Sequence, residues 1–251
     1  MNIVLDLETT SLVTESDENK TLAKICEVAF THRQGKYSKV MSELINPEEP
    51  ITTGAMAIHH ITDRMVEDRQ SFKQSDSFRL LSSLNKETNN LIGHNIIKFD
   101  EVVLRNNGFN NKMNLIDTLI LIQHVESDLL SYKQSELIYI LDLYKTKKYR
   151  DRYGTTKSPQ LHRAEEDIFI TGLLLDYIKN KVRAKGFKGR ALTDKLIQLS
   201  KKVPIIQRMP FGKYKGERFK EIIKTDWGYV EWMFNTLEPE ILIPLRYWMK
   251  H

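Results

Sequence analysis

The sequence predicts an α/β fold, a mixed β-sheet flanked by helices and followed by a small α+β module. Three observations carry this. Strand-like apolar runs come first, strand and helix patterns then alternate to about residue 180, and the composition changes beyond Pro204.

The first strand candidate, Asn2–Leu7, runs into Asp6-Leu7-Glu8. Side chains alternate along a strand, so Asp6 and Glu8 share one face while Ile3, Leu5 and Leu7 take the other. Lys24–Arg33 and Lys36–Ile45 follow as a pair joined by the turn residues Gln34-Gly35. Two prolines in Asn46–Pro50 break the pattern. Ser71–Leu84 then has helical spacing, with Phe72, Phe78, Leu81 and Leu84 as anchors. Leu91-Ile92 and Leu115-Ile116 read as short buried strands, each leading into a helix. Ala164–Ile178 reads as an amphipathic helix. These elements delimit a first domain over residues 1–180, a basic connector over 181–204, within which Leu192, Leu196, Ile197 and Leu199 could make a short helix, and a small module over 205–251. The tryptophans of that module, Trp227, Trp232 and Trp248, are expected in its core.

Composition bounds the function class. With 251 residues, 41% hydrophobic and 28% charged, the chain has ample material for a core. Neither a signal peptide nor a run of transmembrane length is present, so no membrane partner and a cytoplasmic location are expected. Cys26, the single cysteine, excludes an intramolecular disulfide and a cysteine-rich zinc site. The net charge of +5 concentrates in Lys145–Lys157 and Lys179–Arg190, which suggests a polyanionic partner. Tyr144, Tyr149 and Tyr153 interleave with the first cluster and offer stacking faces for unpaired bases.

Two like charges on one strand face repel and lose hydration unless a cation compensates them. Asp6 and Glu8 are therefore candidate ligands for a hard metal such as Mg²⁺ or Mn²⁺. Two further acidic segments strengthen the reading. His94 to Asp100 places an acid where a strand gives way to a helix, and His162-Arg163-Ala164-Glu165-Glu166-Asp167 opens the last long helix of the first domain. In one continuous helix His162 and Asp167 would point about 140° apart, so a shared site requires His162 on the approach loop.

Together, the N-terminal D-x-E, the middle N-x-x-x-F-D and the late H-x-x-x-x-D resemble the three motifs of the DEDDh family of 3′→5′ exonucleases over residues 1–180. Ile58-His59-His60-Ile61-Thr62 and Asp117-Thr118-Leu119 resemble two further segments of that family. The C-terminal Phe211-Gly212-Lys213-Tyr214-Lys215-Gly216 is similar to the module of its exodeoxyribonuclease X-type members. Arg163 occupies the position where a tyrosine subclass carries its tyrosine. Two departures stand out: His60 replaces a common glycine, and Asn95 and Phe99 are separated by three residues rather than two.

The resemblance implies a ribonuclease H-like fold and a two-metal 3′→5′ exodeoxyribonuclease releasing nucleoside 5′-monophosphates. Asp6, Glu8, Asp100 and Asp167 would hold two divalent cations, Mg²⁺ or Mn²⁺, and His162 would be the general base. Thr9, Thr10, Leu12, His59 and Asn95 would border the 3′-terminal nucleotide. DNA is the implied partner, single-stranded or duplex, and RNA stays open. An exoribonuclease or a polymerase proofreading subunit is the alternative enzyme. A non-catalytic nucleic-acid binder is disfavoured, since it could dispense with the four acids and the histidine.

Overall fold

The computed structural model describes residues 1–13, 22–35, 37–154, 157 and 159–251. Among them, a five-stranded sheet has the order β3-β2-β1-β4-β5, made by β1 (Asn2–Thr9), β2 (Ile25–Gln34), β3 (Tyr37–Leu44), β4 (Asn90–Gly93) and β5 (Asn114–Asp117). The first three strands pair antiparallel, while β1–β4 and β4–β5 pair parallel, so the sheet is mixed as expected. Gly35 makes the β2–β3 turn with φ +62°, a conformation glycine adopts without steric cost. Lys36, the expected start of the third strand, lies outside the described residues.

The helices are α1 (Thr53–His59), α2 (Asp63–Val66), α3 (Asp76–Leu84), α4 (Asp100–Asn106), α5 (Thr118–Val125), α6 (Gln134–Ile140), α7 (Lys147–Tyr153), α8 (Ala164–Ala184), α9 (Gly189–Ser200), α10 (Phe219–Thr225), α11 (Trp227–Thr236) and α12 (Pro239–Trp248). The alternation expected in β1 holds. Ile3, Leu5 and Leu7 pack beneath the sheet with Val103 and Leu104 of α4 and Leu81 of α3. Val4 lies on the opposite face with Ala29, Ile92 and Ile116, covered by α5, α6 and α8.

Three segments differ from expectation. Ser71–Leu84 is not one helix: a 3₁₀ turn at Phe72–Gln74 precedes α3. Ser75 breaks it, its hydroxyl donating to the Phe72 carbonyl at 2.7 Å and accepting the Phe78 N–H at 3.0 Å as the cap of α3. The segment expected as a basic connector with room for a short helix is mostly helical, because Leu192 and Leu196 give α9 an apolar face that buries against β5 and α5. The C-terminal module, expected as α+β, is three helices preceded by a single isolated bridge between Arg208 and Arg218.

Within that module Trp248 is half-buried and donates its indole N–H to the Ile206 carbonyl at 2.7 Å. Trp227 and Trp232, expected in the core, are instead 52% and 44% exposed, since Val230 and Met233 fill the buried face of α11. One apolar cluster runs from Val4 through α5–α9 to Leu245 in α12.

Candidate active site

The carboxyl ends of the three parallel strands β1, β4 and β5 converge at one edge of the sheet, where open α/β sheets bind ligands. Asp6 and Glu8 reach that edge on β1. A register shift opposite Glu8 and Thr9 leaves Cys26 of β2 without a partner in β1. Such bulges re-aim side chains near active sites. Asp100 is the first residue of α4, reached from the end of β4 through the loop 94–99.

Asp167 arrives from the far side on α8, which crosses β1 and β2. His162 is held off the helix, as sharing a site demands: its φ is +63°, and its N–H donates to Asp167 Oδ2 at 2.9 Å. That contact fixes both the approach loop and the Asp167 rotamer.

Carboxylate oxygens of Asp6, Glu8 and Asp167 lie within 4.8 Å of one another. Asp100 stands outside that trio, yet near enough for its charge to raise Asp6. Burial is the main reason that Asp6 is pushed well above the usual carboxylate range, and Asp167, Asp100 and Glu8 add to it. Burial likewise pushes Glu8 up to about 8, with Asp167 and Glu27 adding. Asp100 and Asp167 are each pushed up to about 7, again chiefly by burial. Crowded, desolvated carboxylates of this kind fit hard divalent cations, which prefer oxygen ligands.

Sequence reasoning missed Glu27. It pairs with Glu8 across the β1–β2 ladder, only 2% exposed, as a fifth acid at the site. Like charges so placed repel. Arg163 resolves this with Nη2 at 2.6 Å and Nε at 3.2 Å from the Glu27 carboxylate, which also accepts the Ala164 N–H at 3.0 Å. Glu27 thereby anchors the first turn of α8, and the cation at the site is already taken. The antiparallel pairing sets Glu27 opposite Glu8 in the regular register that starts at Leu5 and Phe30, before the shift at Thr9.

The expected substrate contacts divide in two. Thr9 and Thr10 are buried and committed internally: the Thr9 hydroxyl donates to the Ser11 carbonyl at 2.6 Å, and that of Thr10 donates to Glu49 at 2.6 Å while accepting the Lys24 N–H at 3.0 Å. His59 is 2% exposed, its Nδ1 accepting the Ile61 N–H at 3.0 Å, which leaves Nε2–H to donate to the Thr9 carbonyl at 3.2 Å. These three shape the end of β1 from behind. Leu12, by contrast, is 78% exposed, and Asn95 borders two cavities.

Both departures in the motifs have structural explanations. His60 ends α1 in the left-handed conformation, φ +60°, which accounts for glycine being common there. It lies close enough to His162 that, with burial as the larger cause, it holds that imidazole below its ordinary range. The longer Asn95–Phe99 loop is tied down by Asp117, whose carboxylate accepts the N–H groups of Asn95 (3.1 Å), Ile97 (3.2 Å), Leu119 (2.9 Å) and Ile120 (3.4 Å). Asp117→Ala would strand these donors at a nearly fully buried position. The expected loss is about 3 kcal/mol, a fall in melting temperature of roughly 10 °C. Asp117→Asn, which keeps one acceptor oxygen, should lose less. Equal melting of Asp117→Ala and the parent chain would show that the loop is held by other contacts.

The basic cluster Lys145–Lys157 is largely engaged within the protein. Lys147 pairs with Asp151 at 2.6 Å and Arg152 with Glu166 at 2.7 Å, while Lys148 pairs with Asp176. Tyr149 and Tyr153, expected to stack on bases, are buried on the inner face of α7, and the Tyr153 ring meets Phe169 of α8 edge-on. Spacing of four along a helix puts both on one side.

Known proteins agree with this geometry. Residues 3–175 match the family described as Exonuclease, and residues 209–238 match one described as Exodeoxyribonuclease X-like C-terminal. Exodeoxyribonuclease 10 of Escherichia coli (strain K12) is 29% identical over 220 residues, covering 86% of this chain and 88% of its own length. A solved structure of exonuclease X in complex with 5′-overhanging duplex DNA is 24% identical with a TM-score of 0.55, covering 78% of this chain and 99% of that one. Another, of exonuclease I, is 14% identical with a TM-score of 0.54, covering 78% of this chain and 43% of its own. These likenesses establish the same fold. With the matched region spanning both D-x-E and H-x-x-x-x-D, the chain belongs to the exonuclease family and is an exonuclease.

Proposed function

We propose that the protein removes nucleotides from the 3′ ends of DNA by hydrolysis, releasing nucleoside 5′-monophosphates. One observation carries the reading: the carboxylates of Asp6, Glu8 and Asp167 meet within 4.8 Å beside His162 in a chain of the exonuclease family. DNA rather than RNA is supported by the relative named as an exodeoxyribonuclease.

Asp6, Glu8, Asp100 and Asp167 would hold two divalent cations, Mg²⁺ or Mn²⁺, and Arg163 leaves them free to do so because it is paired with Glu27. Such cations, when bound, lower the pKa of a water and stabilise the departing 3′-oxyanion. His162 is exposed on its loop and accepts the water's proton, while its backbone bond to Asp167 fixes its place. Leu12 wedges beside the terminal base and Asn95 touches the strand, with Thr9, Thr10 and His59 holding the rim from within.

The test offers 5′-labelled DNA and RNA, single-stranded and duplex, with Mg²⁺ or Mn²⁺. Products should shorten from the 3′ end on DNA and stop with chelator. His162→Ala should reduce kcat about 10²–10⁴-fold with oligonucleotide affinity retained. Undiminished turnover by that variant would remove His162 from its role, and faster loss of RNA than DNA would overturn the substrate assignment.

A further inference from the structure

Beyond β5 the C-terminal helices do not close onto the sheet edge. They leave a cavity of about 640 Å³ between β5, the end of α9 and the start of α12. A second, of about 370 Å³, adjoins it on the side of the 127–133 loop, and the two share Asn95, Leu119, Gln123 and Pro210. The ion pair of Lys98 with Glu240 at 2.9 Å ties α12 to the loop that precedes Asp100. Resting on the exonuclease reading above, we propose that these joined cavities form a groove for the single-stranded stretch of substrate just upstream of the terminal nucleotide.

Charge favours this occupant. Six basic side chains line the groove against two carboxylates; Lys98 is taken by Glu240 and Arg208 by Asp128 beside the groove, which leaves four lysines. Asp117 faces inward on its backbone donors, and Glu240 is matched by Lys98. Lys201 and Lys202 stand exposed at the mouth of the larger cavity, Lys133 and Lys215 at that of the smaller. Between them the walls are apolar, including Pro204, Ile206 and Pro210. A nucleic-acid strand presents the same alternation, phosphates for the lysines and base faces for the apolar wall.

Position and size agree. Asn95, common to both cavities, begins the loop that ends at Asp100, and Asp117 on the wall holds that loop by accepting the Asn95 and Ile97 N–H groups. The groove therefore runs beside the loop that carries Asp100. Its volume is that of a small-molecule pocket, about 300–1,000 Å³, so it admits a few nucleotides of one strand rather than a duplex.

Binding of a fluorescent single strand of about 16 nucleotides is measured in chelator on the full chain carrying Asp6→Asn, so that the readout does not depend on cleavage. Lys201→Gln with Lys202→Gln, and separately Lys133→Gln with Lys215→Gln, should each weaken binding about tenfold. Each pair should also lower the salt dependence, log affinity against log salt, by about 1.4. A dinucleotide, too short to leave the active site, should bind all forms alike. Unchanged affinity and salt dependence in both pairs would overturn the groove, and an equal loss on a blunt duplex would overturn the single-strand assignment. Absence of nuclease activity in the parent chain would instead overturn the proposed function and leave this binding result to be read separately.

Discussion

Asp6→Asn is expected to reduce 3′-end cleavage by at least about 10³-fold while making the metal-free protein more stable. Asp6 is held among Glu8, Asp100 and Asp167 in a desolvated place, and these neighbours together with burial drive it far above the ordinary carboxylate range. Removing the ionisable group spares the metal-free folded state the cost of either burying that charge among like charges or keeping a proton that the unfolded chain has released. A variant damaged only in its fold would lose activity and melting temperature together. Here the two move in opposite directions, so the pair of measurements separates a ligand from a structural residue. An Asp6→Asn chain that cleaves normally, or that melts lower in chelator at pH 8, would remove Asp6 from the proposed metal site.

In chelator, thermal stability should fall as pH rises from about 5 to 8. Unfolded carboxyl groups titrate near pH 4, whereas burial first and acidic neighbours second push Glu8 up to about 8 and Asp100 and Asp167 up to about 7. The folded state thus keeps protons that the unfolded state has already released. Stability from these groups is complete below about pH 4 and is lost as pH climbs through 7 to 8. Each kcal/mol lost lowers the melting temperature by about 2–4 °C in a chain of this size. Added Mg²⁺ or Mn²⁺ at pH 8 should restore it, by about 2.7 kcal/mol at a hundredfold excess over Kd. Melting scans at pH 5 and pH 8, with chelator and then with metal, give the answer. A profile that is flat or rising in chelator would mean that the carboxylates are not crowded as described.

The proposed metal-ligand set was legible because its members sit where short-range rules apply. A strand's two-residue period places Asp6 and Glu8 together, and a helix start places Asp100. His162 and Asp167 were legible only as a condition, that the histidine precede the helix, and its left-handed φ meets it. What escaped depends on tertiary pairing. Glu27 looks like any strand residue until the antiparallel register sets it against Glu8. Thr9 and Thr10 fall at the rim by following the first motif, and His59 could also be read as packed at a helix end; the chain supplies their polar atoms with partners 2, 39 and 50 residues away respectively. Tyr149 and Tyr153 were read by composition, when their spacing of four already marked an inward face.

The apolar cluster that continues from Val4 to Leu245 also bears on how such a chain can change over generations. A flexible tether tolerates insertions and deletions, since its length alone matters. Helix α9, where a tether was expected, has no such freedom: Leu192 and Leu196 are seated against the sheet, and Ser200 accepts the Asp117 N–H at 3.0 Å. One residue gained or lost inside α9 would rotate that apolar face by about 100°. A single insertion or deletion there would therefore unseat the C-terminal helices from the catalytic half.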